Sequence, residues 1–175
     1  MKILDATCGA KQMWFQKNHP LVTYMDKRNG KYIHWDKKNA EKRVVKIDPD
    51  VIGDFTNLDF DDNTFDMVLF DPPHIISNKE SNIRMVNRYG ILYKETWKQD
   101  LSKGIKELFR VLKPNGVFIF KWGETYKTVD EIIKLFPYPP IFGNRTANHS
   151  IKDKGTHWLV FLKYDVNIKL EEFQT

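Results

Sequence analysis

Four acid-bearing stations along the first 74 positions hold the residue types best suited to chemistry. The first is Asp5-Ala6-Thr7-Cys8-Gly9-Ala10. Its small side chains leave backbone N–H groups open to close approach by a ligand, although an ordinary strand-to-helix turn has the same composition. The second is Asp26, 21 residues after Asp5. An acid roughly 20 residues past a small-residue turn is where a nucleotide-binding sheet meets ribose, because one carboxylate offers acceptors to two vicinal hydroxyls. Beside Lys27 and Arg28 it reads equally as a solvated acid. The third is Gly53-Asp54-Phe55, where a carboxylate can accept from an adenine amino group while Ile52 and Phe55 flank the ring. A plain turn aspartate is the alternative. The fourth, Asp71-Pro72-Pro73-His74, is the sharpest. Two prolines stiffen the backbone and fix the directions of the carboxylate and of the neighbouring carbonyls, which suits holding an amine. A rigid exit turn is the plainer reading of the same residues.

These stations need elements to position them. Lys2–Leu4, Leu21–Met25, Arg43–Ile47, Met67–Phe70 and Val117–Phe120 read as successive strands. The uninterrupted apolar run Met67–Phe70 fits a strand covered on both faces. Trp158–Leu162 is a late strand, with Pro139–Phe142 as its hairpin partner. Met13–Asn18 reads as a short helix. Thr96–Leu112 is the clearest helix, with Leu101, Ile105, Leu108, Phe109 and Leu112 in one stripe and Lys113-Pro114-Asn115-Gly116 as its stop. Thr128–Phe136 is another, with Asp130 and Glu131 in its first turn. Strands alternating with helices predict an α/β fold: a mostly parallel sheet with helices on both faces. No repeat, low-complexity tract or linker divides positions 1–175, so one domain is expected. His74–Tyr93 shows no clean periodicity, and loops of that length inside compact domains usually carry function.

Composition narrows the class. The 175 residues are 41% hydrophobic and 14% aromatic, too rich for a disordered chain. No apolar run reaches the roughly 20 residues of a membrane span, and Met1–Asp5 does not open a secretory signal, so a cytoplasmic, membrane-free setting is expected. One cysteine, Cys8, excludes an intrachain disulfide framework and a cysteine-built zinc site. The histidines (His19, His34, His74, His149, His157) are scattered, so no metal is expected. The net charge of +5 suggests a polyanionic partner only weakly.

Taken in order, Asp5-x-x-Cys8-Gly9, Asp26, Asp54 and Asp71-Pro72-Pro73-His74 resemble class I S-adenosylmethionine-dependent methyltransferases. With Met13-Trp14-Phe15, Phe109–Gly116, Phe120-Lys121-Trp122 and Thr156–Phe161, the chain is similar to the small phage- or prophage-type members. The resemblance runs over essentially the whole sequence. It implies a Rossmann-like, doubly wound seven-stranded sheet of order 3-2-1-4-5-7-6, the last-named pair holding the one antiparallel strand. It implies S-adenosylmethionine as cofactor, bound by Asp5, Ala6, Cys8, Gly9, Asp26, Asp54, Phe55 and Asp71: Asp5 at the methionine amino end, Asp26 on the ribose, Asp54 on the adenine. It implies transfer to an exocyclic amine by Asp71, Pro72, Pro73 and His74. Two departures stand out: Gly9 is the one glycine of the first turn, and His74 stands where an aromatic ring is common. Cytosine-carbon methyltransferases place a cysteine after the fourth strand, whereas Cys8 lies in the cofactor turn and reads as a small buried side chain.

The expected acceptor is a nucleic-acid base, adenine in DNA or RNA. Within a duplex such a base must leave the stack. Lys79, Arg84, Arg88, Tyr89 and Tyr93 interleave basic and aromatic residues beside the catalytic turn and, with Lys121, are candidates for holding nucleic acid. The run Lys37, Lys38, Lys42, Arg43 and Lys46 reads as a solvated face near the sheet edge. A small-molecule acceptor, and a non-catalytic module that binds cofactor or a protein partner, stay open at this point.

Overall fold

The structure, a computed structural model, describes residues 1–36, 41–78, 86, 89–144 and 155–164, side chains at 34–36 excepted. Among the described residues there are nine strands: β1 (Ile3–Asp5), β2 (Val22–Asp26), β3 (Gly30–Asp36), β4 (Glu41–Ile47), β5 (Val51–Ile52), β6 (Phe65–Phe70), β7 (Leu112–Gly123), β8 (Phe142–Gly143) and β9 (Thr156–Leu162). Seven of them form one sheet in the order β5-β2-β1-β6-β7-β9-β8, while β3 and β4 pair only with each other as an antiparallel ribbon. Strands β5, β2, β1, β6 and β7 are parallel to one another, and β9 runs antiparallel to β7 and to β8.

The run expected as the third strand, Arg43–Ile47, therefore lies outside the sheet, and its place beside β2 is taken by the two-residue strand β5. The order over the nine strands differs from 3-2-1-4-5-7-6 through this inserted ribbon. Its residues leave β2 at Asp26, run out along β3 and return along β4 to re-enter the sheet at Val51.

Strand alternation divides the core. Leu4, Val68 and Phe118 occupy matched positions and face one side with Phe70, Phe120 and Trp122. Ile3, Val22, Tyr24 and Leu69 face the other with Cys8, Met13 and Trp14. The first face is covered by helix α1 (Trp97–Val111), whose Leu101, Gly104, Ile105, Leu108, Phe109 and Val111 are buried at the 3.6-residue period. Helix α2 (Val129–Ile133) starts at a capping box, Thr128 receiving the Glu131 N–H while the Glu131 carboxylate receives the Thr128 N–H.

The expected helix over Met13–Asn18 is absent; the segment is a series of turns. Just before it, Gly9 and Lys11 sit at φ +50° and +54°, so no helix runs from the first turn into it. Side chains fix the segment instead: the Trp14 indole donates to Asp5 and packs edge-on to Tyr24. Among the described residues no helix covers the second face, where these turns do the covering. Helix α1 ends one residue before Leu112, and the Lys113–Gly116 turn becomes an irregularity inside β7, with Asn115 at φ +61° and the register stepping between Phe65 and Met67. No helix of the described residues is long and apolar enough to cross a membrane.

Candidate active site

The four stations converge at the carboxyl ends of β1, β2, β5 and β6. These flank the point where the chain order reverses about β1, which is where open α/β sheets place a ligand. A cavity of about 310 Å³ opens there, and its wall includes Ala6, Thr7, Asp26, Asp54, Phe55, Asp71 and Pro73 from the stations, with Tyr89 and Tyr93 opposite. A smaller cavity of about 90 Å³ adjoins it and takes in Cys8, Gly9 and Lys121, sharing Thr7, Arg28, Asp71 and Tyr89 with the first. Arg84 and Arg88, like Lys79, lie outside the described residues.

Asp71 stands at the end of β6. Its N–H donates to Thr7 Oγ1 (3.0 Å), which ties the fourth station to the first. Lys121 Nζ donates to Asp71 Oδ2 at 2.6 Å from the neighbouring strand β7, so its charge serves the carboxylate. His74 Nε2 lies 3.0 Å from Asp71 Oδ1, yet off hydrogen-bonding geometry: Oδ1 is buried and receives no hydrogen bond. His74 packs edge-on against Trp122, ring centres 5.0 Å apart, and is not part of either cavity wall. Pro72 likewise stands behind the wall.

Asp26 is buried and accepts four hydrogen bonds. Gly9 N–H (2.9 Å) and Arg28 Nη2 (3.1 Å) bind Oδ2; Arg28 N–H (2.9 Å) and Arg28 Nε (3.0 Å) bind Oδ1. The sequence shows Arg28 only as a charge near an acid. The fold turns it back over that acid as a fork, leaving its Nη1 buried with no hydrogen-bond partner. Asp54 accepts from Thr56 N–H and Oγ1, both at 2.9 Å, and from Lys27 Nζ at 3.2 Å. Burial opposes its ionisation, but these donors prevail and hold its carboxyl below the ordinary range.

Asp5 is fully buried and reaches neither cavity. Its Oδ2 receives the Trp14 indole N–H at 2.7 Å and its Oδ1 the Thr7 N–H at 3.3 Å. Desolvation still dominates and pushes the carboxyl up to about 7, aided by the nearby charges of Asp71 and Asp26. Burial also pushes the Cys8 thiol far above its ordinary value, the opposite of an activated nucleophile.

Gly90 brings the wall opposite the stations close. At φ +79° it adopts a conformation side chains disfavour, and a Cβ there would stand 3.0 Å from Pro73 Cγ and 3.8 Å from Arg28 Cζ. The loop carrying it is tied at its ends, Leu92 N–H to Ile75 O (2.8 Å) and Ser77 N–H to Leu92 O (3.1 Å). Arg28, Tyr32, Val86 and Gly90 are wall residues the sequence reading did not single out.

No protein-family model matches the sequence, and no curated protein matches it. Solved structures do share its fold. A SAM-dependent methyltransferase from Methanosarcina mazei aligns at TM-score 0.51 and 13% identity, over 93% of this chain and 92% of that one. The N-methyltransferase NodS from Bradyrhizobium japonicum aligns at TM-score 0.53 and 11% identity, over 94% and 86%. The 1,6-didemethyltoxoflavin-N1-methyltransferase from Burkholderia thailandensis, solved with S-adenosylhomocysteine, aligns at 0.53 and 15% identity, over 94% and 71%. The chain thus has a methyltransferase-like α/β fold with a mostly parallel seven-stranded sheet.

Proposed function

We propose that this chain is an S-adenosylmethionine-dependent N-methyltransferase whose acceptor is the exocyclic amine of a nucleic-acid base, adenine in DNA or RNA. The observation that carries it is Asp71: a carboxylate on a Pro-Pro turn in the wall of a cavity at the sheet's reversal point, bound at Oδ2 by Lys121 and with His74 Nε2 3.0 Å from Oδ1. The residues fit the cofactor: Ala6 and Thr7 leave the wall low, Asp54 and Phe55 suit an adenine, and Asp26 suits a ribose once Arg28 yields one of its oxygens.

When bound, S-adenosylmethionine supplies a methyl group already activated on a sulfonium sulfur. The chain's own task is position and electrostatics. An aromatic amine is a weak nucleophile because its lone pair is delocalised into the ring. The Asp71 carboxylate, on the cavity wall, would accept an N–H of the amine and so orient its lone pair. Asp71 would also take up, directly or through water, the proton that the amine sheds on methylation. Lys121 holds the carboxylate at Oδ2, with His74 Nε2 3.0 Å from Oδ1. The domain works as a single unit in a cytoplasmic setting.

Asp71→Ala is the test. It should lower methyl transfer by roughly 10²–10³-fold or more, the size of a lost transition-state contact, with S-adenosylmethionine affinity kept within a few fold. Equal loss of both would mark Asp71 as a cofactor ligand or a structural acid. A small-molecule acceptor is the second reading. It is favoured by the toxoflavin N1-methyltransferase, built on this fold, whose acceptor is a small heterocycle.

A further inference from the structure

The ribbon β3–β4 is inserted between strands of the sheet and takes no part in it. Between positions 30 and 47 it carries six basic residues (Lys31, Lys37, Lys38, Lys42, Arg43, Lys46) against two acidic ones (Asp36, Glu41). That excess of four accounts for most of the chain's net charge of +5, gathered in about a tenth of its length.

Register sorts these residues by face. Directly paired residues of an antiparallel ribbon share a face, and faces alternate along the strand. Tyr32 pairs with Val45; Tyr32 lines the larger cavity and Val45 the smaller, so this face looks onto the site. Lys31 pairs with Lys46 and Ile33 with Val44 on the opposite face, and Lys42 falls on that face by alternation. All five are exposed, Ile33 at 58% and Val44 at 60%. The outward face is thus an apolar pair with a lysine pair at one end and a lysine at the other. Lys31 and Lys46 stand directly opposite one another, and Lys46 also pairs with Asp48 at 2.5 Å just past the end of the ribbon.

We propose that the outward face of this ribbon is the docking surface for the acceptor polynucleotide: the lysines meet its phosphates and Ile33 and Val44 lie against its sugars and bases. This rests on the base-methylating reading above and gives it a substrate platform the catalytic turn does not supply. One short ribbon then has two roles, closing the cavity with one face and holding the strand with the other. A two-stranded ribbon also has the dimensions to enter a major groove. The charge favours a polyanion, and the regular lysine flanks of an apolar strip suit a repeating phosphate backbone.

The test is fluorescence anisotropy with a labelled 20-mer as duplex DNA, single-stranded DNA and RNA, from low to moderate salt. The wild type is compared with Lys31→Gln/Lys42→Gln/Lys46→Gln and with a control, Lys98→Gln/Lys103→Gln/Lys106→Gln, which removes the same charge from exposed positions on α1. The ribbon variant should bind at least tenfold more weakly, with a salt slope smaller by about 2, since each lost phosphate contact removes roughly 0.7–0.9 from that slope. The control should stay within twofold, and both variants should keep S-adenosylmethionine affinity and melting temperature. Equal loss in both variants would overturn the surface in favour of general charge attraction. Competition by polyglutamate as strong as by oligonucleotide would overturn it in favour of an acidic polypeptide. A ribbon variant that binds and methylates like the wild type would overturn the surface and leave the base-methylating reading standing. A wild type that binds S-adenosylmethionine but neither binds nor methylates any oligonucleotide would overturn both.

Discussion

Asp5 and Asp71 end adjacent parallel strands, yet their surroundings give them opposite tasks. Asp71 lies on the cavity wall, while Asp5 is sealed under Trp14 and reaches neither cavity. Its carboxyl is raised to about 7 against an ordinary value near 3.8, so the folded chain holds a proton there that the unfolded chain releases. The sign follows. Folded pKa above unfolded pKa means that the contribution of Asp5 to stability is greatest in acid and falls as pH rises from about 4 to about 7. Asp5→Asn keeps the Trp14 hydrogen bond and removes the titration. Urea melts of the two proteins should diverge across that window, the wild type losing stability relative to the variant as pH rises. Parallel curves would show that Asp5 titrates normally. The acidic stations were legible in the sequence because Asp, Gly and Pro punctuate strand ends. The Arg28 fork was not: two residues past an acid, it could point to solvent or fold back, and the turn after β2 decides.

Among elements, α1 does most to set the site. Gly104 on its buried face meets Phe55, which lines the cavity and packs edge-on to Phe70 at 5.1 Å. A Cβ at position 104 would fall 2.3 Å from Phe55 Cδ2, too close without a shift of the ring. Gly104→Ala should therefore cost about 1–3 kcal/mol in thermal melts and weaken S-adenosylmethionine binding, although the residue itself is outside the cavity wall. Unchanged affinity with lowered stability would separate Phe55 from cofactor binding. Helix α1 was read from its stripe to within a residue at either end. The ribbon escaped because β3 mixes lysine, aromatic and aliphatic side chains in neither a strand nor a helix pattern clear enough to mark it. The true third sheet strand, Val51–Ile52, is too short to show any period. The missing first helix failed for another reason: Trp14 has a specific partner in Asp5, and tertiary contact overrode local pattern.

At the scale of the whole molecule, the sheet, the rigid Asp71 turn, the Gly90 loop and the basic ribbon surround one cavity system. The ribbon turns Tyr32 and Val45 toward the cavities and carries lysines on its opposite face. The most direct measurement is transfer of labelled methyl from S-adenosylmethionine to unmethylated duplex DNA, single-stranded DNA, tRNA and rRNA. Digestion to nucleosides and mass identification of the product would follow. The account expects label on the exocyclic amine of adenine in at least one of these substrates, lost in Asp71→Ala. Bound cofactor with no label in any nucleic acid, or label on a ring carbon, would contradict it.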